Sequence, residues 1–217
     1  MMAPGDVVDV RTGDGGVKRV VDLVVGGVAL LVAALPMAVI AALVRWKLGS
    51  PVLFRQARAG WRERPFRIVK FRTMTDARGP DGALLPDEER LTPLGRFLRA
   101  SSLDELPELW NVVRGDMSLV GPRPLPTAYL DRYTPTERRR HEVRPGLTGW
   151  AQVQGRNAVD WDERLALDVW YVEHRSAALD VRIVARTVWS VLTRQGIAHP
   201  GAATMHELRP PGAPVAP

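Results

Sequence analysis

The sequence feature that most constrains the fold of this chain is an uncharged segment, "LVVGGVALLVAALPMAVIAALV", which runs from Leu23 to Val44. As one straight helix it would be about 33 Å long, which is enough to cross a hydrocarbon core of roughly 30 Å. A cleaved signal peptide has a shorter apolar region followed by small residues at the cleavage site, and this segment has neither property. The segment therefore predicts a helix inserted in a lipid bilayer.

The residues around this segment leave two membrane arrangements open. Basic residues lie on both sides of it, so the positive-inside rule gives no preferred direction. Pro36 lies past its middle, where the loss of a helical hydrogen bond predicts a kink. A single span and a re-entrant helix that enters and leaves by the same face are equally compatible with these features. The flanking basic residues are Lys18, Arg19, Arg45 and Lys47.

The composition of the chain indicates which kinds of molecule it binds and where its tails end. Lys and Arg total 30 against 24 Asp and Glu, a net charge of +6, which favours phosphorylated molecules, anionic lipid or nucleic acid. The absence of cysteine excludes disulfides, thiolate nucleophiles and Cys-based zinc sites. Disordered tails are predicted at both ends of the chain. Gly and Asp are frequent in residues 1–17, and Pro, Ala and Gly are frequent in residues 199–217. These tails leave an apolar helix at 18–47 and a globular domain at 48–198.

The pattern of the globular part predicts an α+β fold, mostly helical with short strands. Strand-like runs at 52–54 and 66–69 are separated by Gly and Pro. Apolar residues at helical spacing predict three helices. Those that are amphipathic are expected to lie at the bilayer interface. The last of these helices carries Val184, Val188 and Val191 on one stripe. The predicted helices cover residues 91–100, 160–176 and 179–196.

Two adjacent acids, Asp104 and Glu105, lie in "SSLDELPELWN" at residues 101–111. Ser102 and Glu105 have the spacing of a capping box, while Asp104 as N-cap would place Pro107 harmlessly in the first turn. The chemical interpretation is that the acids act in catalysis, because a helix N-terminus favours ionised carboxylates and attracts phosphate. The residues alone leave both interpretations open.

A second acidic pair, Asp160 and Asp162 in "DWD", matches the Asp-x-Asp pair through which many nucleotide-sugar glycosyltransferases bind a metal and a diphosphate. However, a helical pattern follows at once, and Asp160 and Glu163 are spaced as a capping box. Two loops dense in Gly and Pro, at 115–126 and 144–157, hold Arg123, Arg144 and Arg156. Such loops can fix guanidinium groups around an oligophosphate, or they can be tight turns with solvated arginines.

Taken together, these motifs resemble the bacterial sugar transferase family, the monotopic polyprenol-phosphate phosphoglycosyl transferases. The resemblance covers about residues 18–197 and fits the small single-domain form of the family. It implies a re-entrant helix and a location on the cytoplasmic face of the inner membrane. One departure is Leu35, which stands before Pro36 where several members have Ser. The motifs are "KRVVD", "SPVLFRQARAG", "KFRTM", "LTPLGRFLRASSLDELPELWNVVRGDMSLVGPRP", "RPGLTGWAQVQGRN" and "LALDVWYV".

The resemblance also implies a two-step reaction with a UDP-sugar and polyprenol (undecaprenyl) phosphate. Asp104 would attack the β-phosphate, release UMP and form an aspartyl phosphosugar, which polyprenol phosphate then takes up to start a membrane glycan. Glu105 would hold Mg²⁺. Phosphate or nucleotide contacts are assigned, from charge, to basic residues within the family motifs. These residues are Lys70, Arg72, Arg123, Arg144 and Arg156.

Two other functions make different predictions. A metal-dependent glycosyltransferase working through Asp160 and Asp162 would release UDP instead of UMP. A membrane-tethered basic module would bind nucleic acid or anionic lipid with strong salt dependence and without nucleotide hydrolysis. The family resemblance favours the phosphoglycosyl transferase, for which no nucleic-acid partner is expected. Its motifs contain no signal for the sugar, the glycan pathway or the oligomeric state.

Overall fold

The computed structural model describes residues 16–154, 160–193 and Leu208, and these form a mostly helical α+β fold as predicted. The predicted tails lie outside the described residues except for Gly16, Val17 and Leu208. The helices and strands are α1 (Gly16–Leu48), β1 (Leu53–Ala59), β2 (Pro65–Phe71), α2 (Asp87–Arg90), α3 (Pro93–Ala100), α4 (Glu108–Arg114), β3 (Ser118–Val120), α5 (Pro135–Arg138), β4 (Gly146–Thr148), α6 (Trp150–Gln154), α7 (Trp161–His174) and α8 (Ala177–Thr193). Single 3₁₀ segments cover Trp61–Glu63, Leu103–Glu105, Thr127–Arg132 and Arg139–Glu142.

Two small sheets support the helices. β1 and β2 form an antiparallel hairpin whose register runs from Leu53 opposite Phe71 to Ala59 opposite Pro65. This confirms the two predicted strands. β3 and β4 pair in parallel, with Val120 opposite Thr148. The hairpin matters most for the site, because it carries Lys70 near its open end.

Helix α1 packs along the globular domain with one stripe of its surface. The buried residues recur at spacings of four and seven, which places them on a single face of the helix. The opposite face is apolar and exposed, as at Leu31 (77%) and Leu35 (75%). The helix continues through Pro36 from Gly16 to Leu48, and the kink at this proline stays a prediction. The buried residues are Asp22, Gly26, Ala33, Ile40 and Val44.

Both ends of α1 contact the same domain. Gly26 lies against α4, where a Cβ would come within 3.1 Å of the Val112 side chain. Towards the other end, Ile40 and Val44 are buried in a cluster with Phe71 and Leu98. One face of α1 is therefore part of the hydrophobic core of the domain. Its other face is apolar and exposed, and it is suited to contact lipid.

Polar contacts fix the first turns of α1. Lys18 forms an ion pair with Asp180 at the start of α8, at 2.5 Å. Arg19 donates to the carbonyl oxygens of Val112 and Val113 at 2.7 and 2.8 Å, which satisfies acceptors at the C-terminal end of α4. Asp22 accepts a hydrogen bond from the Leu119 amide at 3.0 Å. The start of α1 thus holds α4 in place.

The predicted helices are present, but the apolar stripe predicted for α8 is exposed and does not pack in the core. In α7 the predicted stripe of Leu165, Val169 and Val172 is buried. In α8 the fully buried residue is Ile183, while Val184 and Val188 are exposed. The valine stripe of α8 is therefore its outer face.

Candidate active site

The acidic pair lies in a 3₁₀ turn between α3 and α4. Ser102 adopts a left-handed conformation (φ 56°) and its side chain caps nothing. The carboxylate of Asp104 makes no hydrogen bond with any residue that the structure describes. Helix α4 begins at Glu108 with Pro107 as its N-cap residue. Both capping interpretations are therefore wrong, and the helix begins later than the sequence predicted.

The amide of Asn111 holds α4 against β2. Its oxygen accepts from the Val69 amide at 3.2 Å, and its nitrogen donates to the Arg67 carbonyl at 2.9 Å. This double contact fixes the strand register beside the helix. It places the Lys70 ammonium between two acids, at 2.7 Å from Glu105 Oε1 and 2.9 Å from Glu108 Oε1.

Arg123 approaches the same acid from the loop after β3. Its guanidinium lies 2.5 Å from Glu105 Oε1, so a single carboxylate oxygen binds two cations. The loop backbone is fixed by Arg140, which donates to the Arg123 carbonyl at 2.7 Å. At Gly121 a Cβ would collide with the Arg144 carbonyl oxygen, so this close approach of two backbones requires glycine.

The three acids differ in their protonation. Burial would raise the pKa of Glu105, but the charges of Arg123 and Lys70 outweigh it and hold this pKa far below its usual range. Burial, and secondly the negative charge of Glu105, raise the pKa of Asp104. Burial raises the pKa of Glu108 to about 7 despite the nearby Lys70. Glu105 is thus the firmly ionised member of the group.

The structure brings together only part of the predicted basic set. Lys70 and Arg123 meet Glu105 directly. Arg72 instead donates to the carbonyl oxygens of Met74 and Ser50, at 2.9 and 3.0 Å. Arg144 donates to the Gly115 carbonyl at 3.0 Å.

Neither Arg72 nor Arg144 forms a hydrogen bond or ion pair with the three acids. Their phosphate contacts, like that of Arg156, stay predictions. Arg156 itself lies outside the described residues.

Three further residues at the site were not among the site residues selected from the sequence. Glu108 follows Asp104 by four positions, a spacing that could have identified it as a neighbour on one side of a helix. Arg99 donates to the Thr73 hydroxyl at 3.0 Å, and its charge acts on Asp104. Arg58 lies beside Arg123, and its charge acts on Glu108 and Glu105. Arg58 is one of seven basic residues between positions 55 and 72, and no local signal separates it from the others.

One member of the competing acidic pair, Asp160, has a structural role. Asp160 Oδ1 accepts a hydrogen bond from the Glu163 amide at 2.8 Å and caps α7. This is the capping alternative that the sequence favoured for "DWD". Within residues 16–154 and 160–193, no group of three or more His, Cys, Asp and Glu side chains is arranged to hold a metal ion on its own.

Comparison with known proteins identifies the family. The sequence profile described as "bacterial sugar transferase" matches residues 14–194. The chain belongs to the bacterial sugar transferase family. This confirms the family predicted from the motifs and makes the chain a transferase. Membership of this family and the apolar helix α1 together indicate association with a membrane.

Named relatives of this sugar transferase cover most of the chain. An "uncharacterized sugar transferase EpsL" of Bacillus subtilis is 52% identical over 83% of this chain and 89% of its own length. A UDP-glucose:undecaprenyl-phosphate glucose-1-phosphate transferase of Caulobacter vibrioides is 47% identical over 81% of this chain and 70% of its own. A UDP-N-acetylgalactosamine-undecaprenyl-phosphate N-acetylgalactosaminephosphotransferase of Aeromonas hydrophila is 37% identical over 83% of this chain but only 44% of its own.

Proposed function

We propose that this sugar transferase moves a sugar-1-phosphate from a UDP-sugar to polyprenol phosphate through a covalent intermediate on Asp104. The names of the relatives support the two substrates. The observation that supports the role of Asp104 is the contrast between the two adjacent acids. Glu105 is neutralised by Lys70 and Arg123, whereas the Asp104 carboxylate has no hydrogen-bond partner among the described residues and stands beside the same cations.

In the first step, a carboxylate oxygen of Asp104 forms a bond to the β-phosphorus of the UDP-sugar. The bond from this phosphorus to the bridging oxygen breaks, and UMP leaves with the electron pair. In the second step, a phosphate oxygen of polyprenol phosphate attacks the same phosphorus and displaces the carboxylate. The products are polyprenol diphosphosugar and regenerated Asp104, so atoms and charge balance.

The cations around Asp104 suit this chemistry. Lys70, Arg99 and Arg123 all act electrostatically on Asp104 and favour its ionised form. Positive groups fixed before the substrate arrives stabilise the charge that accumulates on the transferred phosphoryl oxygens without reorganisation. Arg140 donates to the Arg123 carbonyl, so the protein itself fixes the backbone of Arg123.

The donor set at Glu105 fits Mg²⁺ bound together with a substrate. Glu105 binds both cations through Oε1, and its Oε2 makes no hydrogen bond with the described residues. Mg²⁺ is commonly held by one or two carboxylates plus substrate phosphates, and such a site needs no cage of three protein ligands. Glu105 would hold the ion, which would supply neutralisation of the diphosphate charge.

We further propose that α1 is re-entrant and that the enzyme lies on the cytoplasmic face of the inner membrane. A helix that crosses the bilayer upright carries one end away from a domain on the other side. Here Lys18 and Asp22 contact the same domain as Ile40 and Val44, which supports entry and exit by one face.

This topology is tested by single cysteines placed one at the start of α1 and one on β2, in the domain that follows the helix, because the chain contains no native cysteine. Gly16→Cys and Arg67→Cys are both expected to react with a membrane-impermeant maleimide only in inside-out vesicles. Labelling of one position from each side would show a true span and contradict the proposal.

The reaction is tested by Asp104→Asn in detergent with undecaprenyl phosphate and a panel of UDP-sugars. Losing the nucleophile is expected to lower the rate of UMP release by roughly 10³-fold or more. Wild-type protein should retain the labelled phosphosugar covalently when the acceptor is omitted, and Asp104→Asn should not. Near wild-type turnover by the variant would remove Asp104 from its role. Release of UDP would instead support the Asp160–Asp162 glycosyltransferase, whose matched control is Asp162→Asn.

A further inference from the structure

Arg58 is brought to the edge of the active site by the end of β1. The Ala59 amide donates to the Leu125 carbonyl at 3.0 Å, and Arg58 bridges to Pro126, so the strand runs alongside the segment that follows Arg123. One terminal nitrogen of Arg58 lies 3.4 Å from the Pro124 carbonyl oxygen. The end of β1 and the loop after β3 therefore lie side by side, and the charge of Arg123 acts on Arg58: burial and, secondly, this charge lower the pKa of Arg58.

The charge of Arg58 is not neutralised by any acid within the described residues. Its other terminal nitrogen donates to the neutral amide oxygen of Gln56 at 2.6 Å, and no ion pair is formed. Its Nε is buried and has no hydrogen-bond partner in the part of the chain that the structure describes. Burying a guanidinium donor without a partner is costly, so this arrangement calls for an acceptor that the described residues do not supply.

A third arginine approaches from α7. Asp168 on this helix binds Arg140, which in turn holds the Arg123 carbonyl, and Arg164 precedes Asp168 by one helical turn. Arg164 interacts electrostatically with both Arg123 and Asp168. Three separate elements thus bring Arg58, Arg123 and Arg164 to one region. Guanidinium groups that are placed together against their mutual repulsion are typical of a phosphate site.

We propose that Arg58, together with Arg123 and flanked by Arg164, forms a phosphate-binding subsite next to the Asp104 nucleophile. The inference rests on the proposed function, because two phosphorylated substrates would use this region in turn. The subsite would take either the diphosphate of the donor nucleotide or the phosphate of the lipid acceptor. Both offer oxygen pairs that suit the fork of a guanidinium group.

The test measures equilibrium binding in the Asp104→Asn background, where turnover does not interfere. The probes are UDP and undecaprenyl phosphate in detergent, each with Arg58→Gln and with a control, Arg55→Gln. Arg55 lies on the same strand but is exposed, and strand alternation places it on the other face. Arg58→Gln is expected to raise the Kd for one of the two probes by about tenfold or more, and Arg55→Gln to stay within about twofold.

Each outcome decides a point. A loss for UDP assigns the subsite to the donor diphosphate, and a loss for undecaprenyl phosphate assigns it to the acceptor. Unchanged affinity for both probes overturns the proposal. If Arg58→Gln lowers the melting temperature strongly, Arg58→Lys decides, because lysine keeps the charge but not the fork. The Arg58→Lys variant should bind one of the two probes several-fold more weakly than the wild-type protein. Wild-type affinity of this variant for both UDP and undecaprenyl phosphate would overturn the proposed subsite.

The binding test is independent of the reaction. Release of UDP rather than UMP by wild-type protein would refute the proposed function while leaving the Arg58 result to stand by itself. Conversely, a normal covalent intermediate with unchanged binding by Arg58→Gln would refute the subsite alone.

Discussion

Two charged clusters meet at Arg123, and they differ in how far their side chains are buried and in how completely they are hydrogen-bonded. In the first, Arg140 and Asp168 have side chains exposed by only 1% and 3%, and two nitrogens of the arginine donate to the same carboxylate oxygen at 3.1 and 2.6 Å. The remaining donors of Arg140 bind the Tyr133 hydroxyl and the Arg123 carbonyl. In the second, the side chains of Lys70, Glu105 and Arg123 are 15–34% exposed, and the Asp104 carboxylate has no hydrogen-bond partner among the described residues.

The difference shows how the same residue types serve two purposes. In the buried pair all three nitrogens of Arg140 are already hydrogen-bonded within the protein, and the pair fixes the backbone of Arg123. A partly open cluster with an unbonded acid keeps capacity for a ligand, and incomplete pairing in a native structure is a sign of binding or chemistry. The closed cluster holds the open one in position.

The largest effect on stability is expected from opening the closed cluster. Asp168→Ala leaves Arg140 charged and buried without its partner, which should lower the free energy of unfolding by about 3–5 kcal/mol. Thermal or denaturant unfolding in detergent measures this loss. Asp104→Asn is the matched control and should be neutral or stabilising, because it removes a carboxylate that burial disfavours. Equal losses from the two variants would contradict the division into a closed and an open cluster.

A smaller effect is expected from Glu108, the most buried acid of the open cluster. Its pKa of about 7 in the folded protein lies above the ordinary value of 4.5, so the folded state binds a proton that the unfolded state releases. The resulting stabilisation is complete below pH 4.5 and is lost as the pH rises through 7. Wild-type protein should therefore lose melting temperature relative to Glu108→Gln between pH 4.5 and 7. A difference that stays constant over this interval would show that Glu108 titrates normally.

The sequence predicted the fold class, the two strands of the hairpin and the long helices, and it selected the adjacent acids but only part of the basic residues that the structure brings beside them. Lys70 and Arg72 are both basic and two residues apart, and only the structure shows that β2 ends at Phe71 and that Arg72 turns towards Ser50. Arg58 was hidden among the many basic residues of the 55–72 region. Only its position beside the loop after Arg123 distinguishes it, and that contact spans more than sixty residues of sequence.

The capping interpretation of "SSLDELPELWN" failed for a local reason. Residue type favours Ser and Asp at helix starts, but the backbone of Ser102 is left-handed and a 3₁₀ turn intervenes before α4. Pro107 then occupies the N-cap position, where its missing amide hydrogen costs nothing. The outer valine stripe of α8 likewise could not be distinguished from a core stripe by periodicity, since both have the same spacing.

The way α1 is built into the domain has a practical consequence for anyone who wants this enzyme in water. Deleting the helix would expose the buried neighbours of Ile40 and Val44 and release the carbonyl groups that Arg19 binds, so truncation should yield an insoluble remnant. Solubility would have to come from resurfacing: polar residues at outward positions such as Val24, Leu31 and Leu35, with the inward stripe untouched. The same two-faced helix dictates which half an engineer can rewrite and which half must be kept.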